Sequence, residues 1–197
     1  MKLILMTTPH FFVEEHPILT ALFDEELDFL HIRKPNTEPV YSERLLSLIP
    51  EQYRKRIIVH DHYYLHNEYK LYGIHVTQRA ELPEKYKGRV TCTCQTAEQV
   101  KALKSKCDYT IFAPNLNDNS IDGFDAQHLK QYKAEKLPDK KVMAFGNINE
   151  ENIQDIANAG FGGAVLYGCI WNRFDTYNTQ DFKELISYFR KLKKLAK

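Results

Sequence analysis

The chain has 197 residues, of which 43% are hydrophobic and 27% are charged, as in ordinary globular proteins. Its formal net charge of +1 argues against nucleic acid or an acidic membrane surface as the main partner. The apolar run in residues 1–8 is too short for a secretory signal or a membrane span, so a cytoplasmic location is expected. One domain over residues 1–197 is expected, because single α/β barrels reach this length.

Short apolar runs alternate along the chain with segments of helical periodicity. The runs carry the branched aliphatic residues that favour strands, and the segments between them space their apolar residues as amphipathic helices do. The predicted strands are residues 3–6, 28–33, 57–59, 73–76, 90–94, 109–113, 141–145 and 164–167. The predicted helices are residues 17–24, 40–48, 63–71, 96–104, 126–136, 149–159 and 179–194, and residues 77–88 are expected to form a long loop.

Signals at the predicted helix ends support these boundaries. Thr96 and Gln99 have the spacing of a capping box. Asn149 is a suitable N-cap for the sixth helix, and Gly160 is a suitable stop after it.

Eight strands, each followed by a helix or a long loop, predict an α/β fold with a parallel sheet and crossover helices. Eight is the number of strands that closes a (β/α)8 TIM barrel. An open doubly wound sheet is the alternative, and a G-x-G-x-x-G motif after the first strand would favour it. The chain has no glycine before Gly73, so the closed barrel is the better prediction. Its functional site is expected at the C-terminal ends of the strands.

Charged side chains follow the second and third predicted strands. Arg33 and Lys34 come after the second, where a guanidinium fork and an ammonium suit phosphate oxygens. Asp61 comes after the third, and its carboxylate suits Mg²⁺ that bridges to substrate phosphates. His60 and His62 form an H-x-H pattern around it, but the sequence offers no convincing further ligands for a transition metal.

Glycines are concentrated near the end of the predicted barrel. Gly146 and Gly168 directly follow the seventh and eighth strands, whose loops usually form the phosphate site of this fold. A role in turns alone would explain Gly160 well, but it explains these two less well. Asn147 and Cys169 lie beside them. A phosphate site built from backbone N–H groups is therefore predicted here.

The four cysteines contain no C-x-x-C pair, so buried free thiols are expected. They are Cys92, Cys94, Cys107 and Cys169.

Five segments resemble the thiamine phosphate synthase family, including its thiazole tautomerase branch, and they occur in family order. The segments are residues 27–33, 59–62, 73–76, 108–114 and 159–168. The resemblance implies a TIM-barrel transferase of thiamine biosynthesis. Such an enzyme joins hydroxymethylpyrimidine diphosphate to thiazole phosphate, releases pyrophosphate and uses Mg²⁺. The implied partners are small phosphorylated heterocycles, with no nucleic acid and no membrane, and a homo-oligomer is compatible with the sequence.

The resemblance also implies roles for individual residues. Arg33 and Lys34 would hold the diphosphate. His60 stands where the family usually has Asn and would also touch the diphosphate, whereas His31 stands at the family's Gln in the substrate pocket. Thr93 stands at the family's serine near the pyrimidine.

Further roles follow for the metal and the second phosphate. Asp61 would ligate Mg²⁺, with a second carboxylate from Glu81 if one residue is inserted there. Gly146 and Gly168 would cradle the thiazole phosphate, with Asn147 and Cys169 as neighbours. In the loop after the sixth strand, Asp118 and Ser120 take the family's hydroxyl positions, so Ser120 is a predicted catalytic residue.

Several positions depart from the family pattern. The lysine after Arg33 is displaced by one residue, Ile121 replaces the loop lysine, and Ala80 takes the second carboxylate position by direct count. The tautomerase histidine corresponds to Pro114. Three hypotheses therefore stay open: a divergent synthase, a tautomerase-like enzyme, and a non-catalytic thiazole- or thiamine-phosphate binding protein.

Overall fold

The computed structural model describes residues 1–77, 86–114, 123–175 and 181–197. Eight parallel strands close into a barrel in chain order, and β1 completes the ring by pairing with β8. This confirms the predicted (β/α)8 barrel. The strands are β1 (Lys2–Met6), β2 (Phe29–Ile32), β3 (Ile57–Val59), β4 (Gly73–Val76), β5 (Arg89–Cys94), β6 (Tyr109–Phe112), β7 (Val142–Phe145) and β8 (Gly163–Leu166).

Helices follow the strands and cover the outside of the barrel. The α-helices of the described ranges are α1 (Glu15–Asp24), α2 (Pro39–Leu48), α3 (Leu65–Glu68), α4 (Ala97–Leu103), α5 (Leu129–Ala134), α6 (Ile153–Ala159), α7 (Gly168–Trp171) and α8 (Lys183–Leu195). Two 3₁₀ segments, Glu51–Arg56 and Ala126–His128, precede β3 and α5. No helix in the part of the chain that the structure covers is long and apolar enough to cross a membrane.

The cap signals are confirmed at two of the three positions. Thr96 and Gln99 form the predicted capping box, and Gly160 adopts a left-handed conformation with φ 97° at the end of α6. Asn149, in contrast, does not cap α6, which begins four residues later. The Asn149 backbone N–H donates to Oδ1 of Asn152, and the Glu151 N–H donates to Oδ1 of Asn149. These local bonds offer the backbone an alternative to the helix.

The core has two layers that the strand alternation separates. One layer fills the barrel, and it comprises Ile4, Met6, Tyr109, Ile111, Ala113, Met143, Phe145 and Val165. The other lies between the barrel and its helices, where Leu30 and Ile32 of β2 pack while His31 between them faces inward. Burial on both faces explains why the strands are continuous apolar runs. The few polar side chains inside the barrel therefore need specific partners.

The prediction that all four cysteines are free thiols is wrong for two of them. Cys92 of β5 and Cys107, which lies just before β6, form a disulfide with a Cα–Cα distance of 6.6 Å. Adjacent pairing of β5 and β6 brings the two residues together, although 15 positions separate them in the chain. Cys94 and Cys169 are free, and burial raises the pKa of each thiol to about 11. Neither is therefore an activated nucleophile.

Candidate functional site at the mouth of the barrel

The parallel topology brings the predicted site residues to one rim. Arg33, Asp61, Gly146 and Gly168 each lie directly or almost directly after a strand. Because all eight strands point the same way, these positions surround the same opening, which we call the mouth.

A cavity of about 660 Å³ opens between the loops after β7 and β8. Four of its lining residues are the ones predicted from the glycine pattern, namely Gly146, Asn147, Gly168 and Cys169. Tyr167, Asn172, Arg173 and Tyr188 complete much of the wall. The structure therefore brings the predicted second phosphate site together as one polar pocket, which we call the β7/β8 cavity.

Close packing requires a glycine at one of the two glycine positions of this cavity but not at the other. A Cβ atom on Gly146 would lie 2.0 Å from the backbone N of Phe124, so close backbone packing requires glycine there. Phe124 crosses at this point, where its N–H donates to Phe145 O and its carbonyl accepts from the Asn147 N–H. Among the described residues, a Cβ on Gly168 would touch only Nδ2 of Asn172, at 3.5 Å. Packing within the chain thus explains Gly146 but leaves Gly168 unexplained.

Arg173 gives the β7/β8 cavity a cation that the sequence patterns did not single out. Its guanidinium carbon lies 3.5 Å from the centroid of the Tyr188 ring, and its Nη1 lies 3.6 Å from Oε1 of Glu184. The pocket therefore combines a cation with bare main chain, as anion sites do. No sequence motif marks this arginine, because its position depends on α7, a helix that was not predicted.

Arg33 is exposed at the mouth and acts electrostatically on both of its sides. Burial, and then the charge of Arg33, lowers the pKa of His75 to about 3. On the other side, burial raises the pKa of Tyr167, and Arg33 opposes this rise. Because Tyr167 lines the β7/β8 cavity, the guanidinium charge is felt both there and at the inner histidines.

Lys34 does not share the mouth with Arg33. Its side chain is fully buried, and its Nζ donates to Oε1 of Glu15 at 2.6 Å and to the His10 carbonyl at 2.9 Å. The ammonium also lies 4.3 Å from the centroid of the Phe11 ring. Burial raises the pKa of Glu15 to about 7, against the attraction of Lys34. We therefore leave Lys34 out of the proposed anion site.

Asp61 is half-buried beside the second strand end. Its Oδ2 accepts a hydrogen bond from the Lys34 backbone N–H at 3.2 Å, while Oδ1 makes no hydrogen bond with the described residues. A carboxylate held by one oxygen with the other available fits Mg²⁺, which often takes one protein carboxylate plus substrate phosphates.

His31 and the half-buried His60 form a pair inside the mouth. His31 is fully buried, its Nδ1 lies 2.8 Å from Nε2 of His60, and its Nε2 lies 2.5 Å from the Tyr109 hydroxyl oxygen. Burial, followed by the charges of the neighbouring histidines, lowers the pKa of both imidazoles well below the usual value. Both rings are therefore neutral at pH 7.

His75 completes this group from β4. Its ring stacks on His60 with centroids 4.1 Å apart. Its Nδ1 and Nε2 lie 2.8 Å from the hydroxyl oxygens of Thr91 and Thr93, respectively. The predicted pyrimidine-side residue Thr93 is thus held by His75. The alternation of side chains along β4 and β5 could have indicated this contact, because it places Thr91 and Thr93 on the same face of β5.

His62 lies apart from the three inner rings. Its Nε2 is 3.0 Å from the carbonyl oxygen of Thr37. The H-x-H pattern of His60 and His62 is therefore not one metal site in this structure.

Some predicted residues lie outside the described parts of the chain. These are Glu81 and Ser120 from the predicted site, together with Ala80, Asp118 and Ile121 from the family comparison.

Comparisons with known proteins agree with this architecture. A family model described as thiamine monophosphate synthase matches residues 3–170. A crystal structure of thiamine phosphate pyrophosphorylase from Bacteroides thetaiotaomicron is 49% identical, with a TM-score of 0.89, and the match covers 100% of this chain and 98% of that chain. No curated protein matches the chain in a sequence comparison.

More distant structures share the fold alone. Thiamine phosphate pyrophosphorylase from Pyrococcus furiosus is 14% identical with a TM-score of 0.74, covering 99% of this chain and 95% of that chain. A 3-hexulose-6-phosphate synthase from Salmonella typhimurium is 13% identical with a TM-score of 0.68, covering 100% and 98%.

Proposed function

This chain belongs to the thiamine monophosphate synthase family, and from that membership we propose that it joins hydroxymethylpyrimidine diphosphate to thiazole phosphate and releases pyrophosphate. The observation that carries the proposal is the shared mouth, where an exposed guanidinium and a polar, glycine-lined cavity meet on one rim. The two substrates carry separate anionic groups, so the mouth needs two anion-binding positions.

We assign the thiazole phosphate to the β7/β8 cavity. Gly168 leaves its space open, and Arg173 supplies a positive charge. Gly146 contributes main chain, although its lack of a side chain has a packing reason. Asn147 and Cys169 bound the pocket, and the neutral Cys169 thiol acts as a wall and not as a nucleophile.

We assign the diphosphate to the side of the mouth that carries Arg33 and Asp61. In the reaction, the bond between the pyrimidine methylene carbon and the diphosphate oxygen breaks, and the bonding electrons leave with pyrophosphate. The thiazole nitrogen then attacks the methylene cation. Arg33 would stabilise the charge that grows on the leaving group, which is worth most in the transition state.

Magnesium fits this assignment through Asp61. Bound there, Mg²⁺ would neutralise charge on the departing diphosphate. Asp61 would hold the ion with its available Oδ1, while the Lys34 backbone N–H fixes Oδ2. The second ligand predicted from the family pattern, Glu81, and the predicted catalytic Ser120 stay predictions.

The pyrimidine would lie beside Thr93, His31 and His60. His75 fixes Thr93 by contact with its hydroxyl, and Tyr109 fixes His31. Burial keeps the imidazoles neutral, so each ring has one donor and one acceptor. Those of His31 and His75 already face partners inside the barrel, so His60 would present to the heterocycle the ring nitrogen that does not face His31.

The test measures pyrophosphate release with both substrates and MgCl₂. We expect turnover by the wild-type chain and about 100-fold lower kcat/KM for Arg33→Gln, the cost of one preorganised charge partner in the transition state. Arg190→Gln is the matched control, because Arg190 pairs with Glu25 on the surface. Folded wild-type protein that produces no pyrophosphate at high concentrations of both substrates would refute the synthase assignment.

A non-catalytic phosphate-binding protein is the second candidate, and the burial of Lys34 favours it. With that ammonium paired to Glu15, the diphosphate side has lost a predicted cation. This candidate predicts that calorimetry detects thiazole phosphate binding without Mg²⁺ and that the binding survives Asp61→Ala. Loss of binding in that variant, with the fold intact, would exclude it.

A further inference from the structure

We propose that His31, His60 and His75 form a binding site for a zinc-type transition metal ion, which we call the tri-histidine site. The proposal does not rest on the synthase reaction or on the magnesium assigned to Asp61, although it uses His31 and His60, which the proposed function places beside the pyrimidine.

The geometry of three neighbouring strands creates the site. One ring nitrogen from each histidine lies within 4.8 Å of the other two. His31 is on β2, His60 directly follows β3, and His75 is on β4, so adjacent paired strands hold all three side chains. A metal ion needs its ligands placed by rigid elements, and a barrel wall is such an element.

The outer nitrogens already have oxygen partners of the kind that orient metal-bound imidazoles. Nε2 of His31 faces the Tyr109 hydroxyl, and Nδ1 of His75 faces the Thr91 hydroxyl. With the ring protons on these outer atoms, Nδ1 of His31 and Nε2 of His75 present lone pairs. This outer-shell arrangement fixes both the tautomer and the ring orientation.

The inner contact between His31 and His60 is compatible with a shared cation. Their facing nitrogens are 2.8 Å apart, so a single proton lies between two lone pairs. Moving that proton to Nδ1 of His60 leaves both inner nitrogens free to bind one ion. Binding one ion breaks the contact of His75 with Thr93 and turns the stacked rings of His60 and His75 so that their lone pairs converge.

The ligand type selects the class of metal. Neutral imidazole nitrogen suits Zn²⁺, Co²⁺, Ni²⁺ and Cu²⁺, whereas Mg²⁺ prefers oxygen. Three protein ligands leave a fourth position for water or a bound anion, as in catalytic zinc sites. His60 is only half-buried, so this side of the site reaches the mouth, where the nearby charge of Arg33 favours an anionic fourth ligand.

The test is calorimetric titration of chelator-treated protein with ZnCl₂ in excess Mg²⁺, followed by the visible spectrum of the Co²⁺ form. We expect one Zn²⁺ per chain and the intense absorption of tetrahedral Co²⁺. In His31→Gln/His60→Asn, we expect Zn²⁺ affinity to fall more than about 100-fold, since loss of even an outer-shell partner costs 10–100-fold. His75→Gln should lose affinity similarly.

Two histidine variants serve as controls. His62→Asn removes the other member of the H-x-H pattern, and His128→Asn removes an exposed histidine. Both should keep the wild-type affinity. The proposal is overturned if wild-type protein binds no Zn²⁺, if binding persists in folded His31→Gln/His60→Asn, or if it disappears in His62→Asn. Because the wild-type titration needs no variant, a variant that fails to fold leaves the proposal testable.

Discussion

Gly146 and Gly168 occupy equivalent places at the ends of neighbouring strands, but only one of them is required by packing. Backbone of Phe124 fills the position where a side chain on Gly146 would go. The same position on Gly168 borders the β7/β8 cavity. A substitution therefore separates a structural role from a ligand-binding role.

We expect Gly146→Ala to lower the free energy of unfolding by about 2 kcal/mol or more, because overpacking against backbone forces a shift. Gly168→Ala should change it by less than about 0.5 kcal/mol, as for substitutions that touch no critical feature, but should weaken thiazole phosphate binding. Urea denaturation and calorimetry measure the two effects. Equal stability losses in both variants would contradict this distinction.

Arg33 and Lys34 show which features of the site can be predicted from the sequence and which cannot. Adjacent charges suggested one anion site, yet neighbouring residues along an extended segment face opposite sides. His31 points into the barrel, Arg33 follows on that side, and Lys34 turns toward α1 and Glu15. Period-two alternation could have predicted the separation. The carboxylate that receives Lys34 could not be predicted, because it comes from the start of α1 and no sequence pattern pairs the two residues.

At the scale of elements, the disulfide between Cys92 and Cys107 ties β5 to the approach of β6 across α4. A closed loop of this length restricts the unfolded chain by about 3 kcal/mol in the chain-entropy model. The bond therefore adds a covalent link to two strands that the β5/β6 hydrogen-bond ladder already joins.

We expect thiol titration of the denatured, unreduced protein to detect two thiols, those of Cys94 and Cys169, and four after reduction. Reduction should lower the free energy of unfolding by about 3 kcal/mol, and Cys107→Ser should behave like the reduced protein. Cys94→Ser, which leaves the bond intact, is the control for loss of a buried sulfur. Four reactive thiols before reduction would contradict the pairing.

Helix boundaries were less predictable than strands, and α6 and α3 show why. Residues 149–152 have helical spacing, but side chains of Asn149 and Asn152 bond to nearby backbone and delay α6. Only Leu65–Glu68 of the predicted third helix is helical, and Lys70 adopts a positive φ just beyond it. The strands were easier to predict, because burial on both faces gives each of them a continuous apolar composition.

At the scale of the whole molecule, the barrel interior contains three neutral histidines at positions where most barrels have apolar side chains. The pKa of His75 falls to about 3, and burial lowers the pKa values of His31 and His60 as well. Below pH 6.5 these histidines bind protons in the unfolded chain but not in the folded chain. The free energy of unfolding therefore falls as the pH falls. Glu15 opposes this trend, because its pKa of about 7 makes the folded chain take up a proton first.

The three barrel histidines against one glutamate give a net uptake of about two protons on unfolding in acid. His66, whose pKa burial also lowers, acts in the same direction. In the presence of chelator, we expect the free energy of unfolding to fall by up to about 3 kcal/mol per pH unit below pH 6.5. Urea denaturation at a series of pH values measures this slope. His75→Gln should reduce it by about 1.4 kcal/mol per pH unit. A stability that rises on acidification would mean that the rings are charged in the fold.

The closed architecture was predictable because it depends on the number and order of apolar runs. The tri-histidine site was not, since His31, His60 and His75 become neighbours only when β2, β3 and β4 pair in register. The H-x-H pattern offered no convincing further ligands, and strand pairing instead brings His31 and His75 beside His60.

The pairing of β1 with β8 has a consequence for how the chain is made. The first strand leaves the ribosome long before its final neighbour exists, so one of its edges stays unsatisfied for most of synthesis. Each shorter intermediate presents two such edges, which invite pairing between nascent chains. Production of this protein should therefore be sensitive to chaperone supply and to growth temperature, even where the finished barrel is stable.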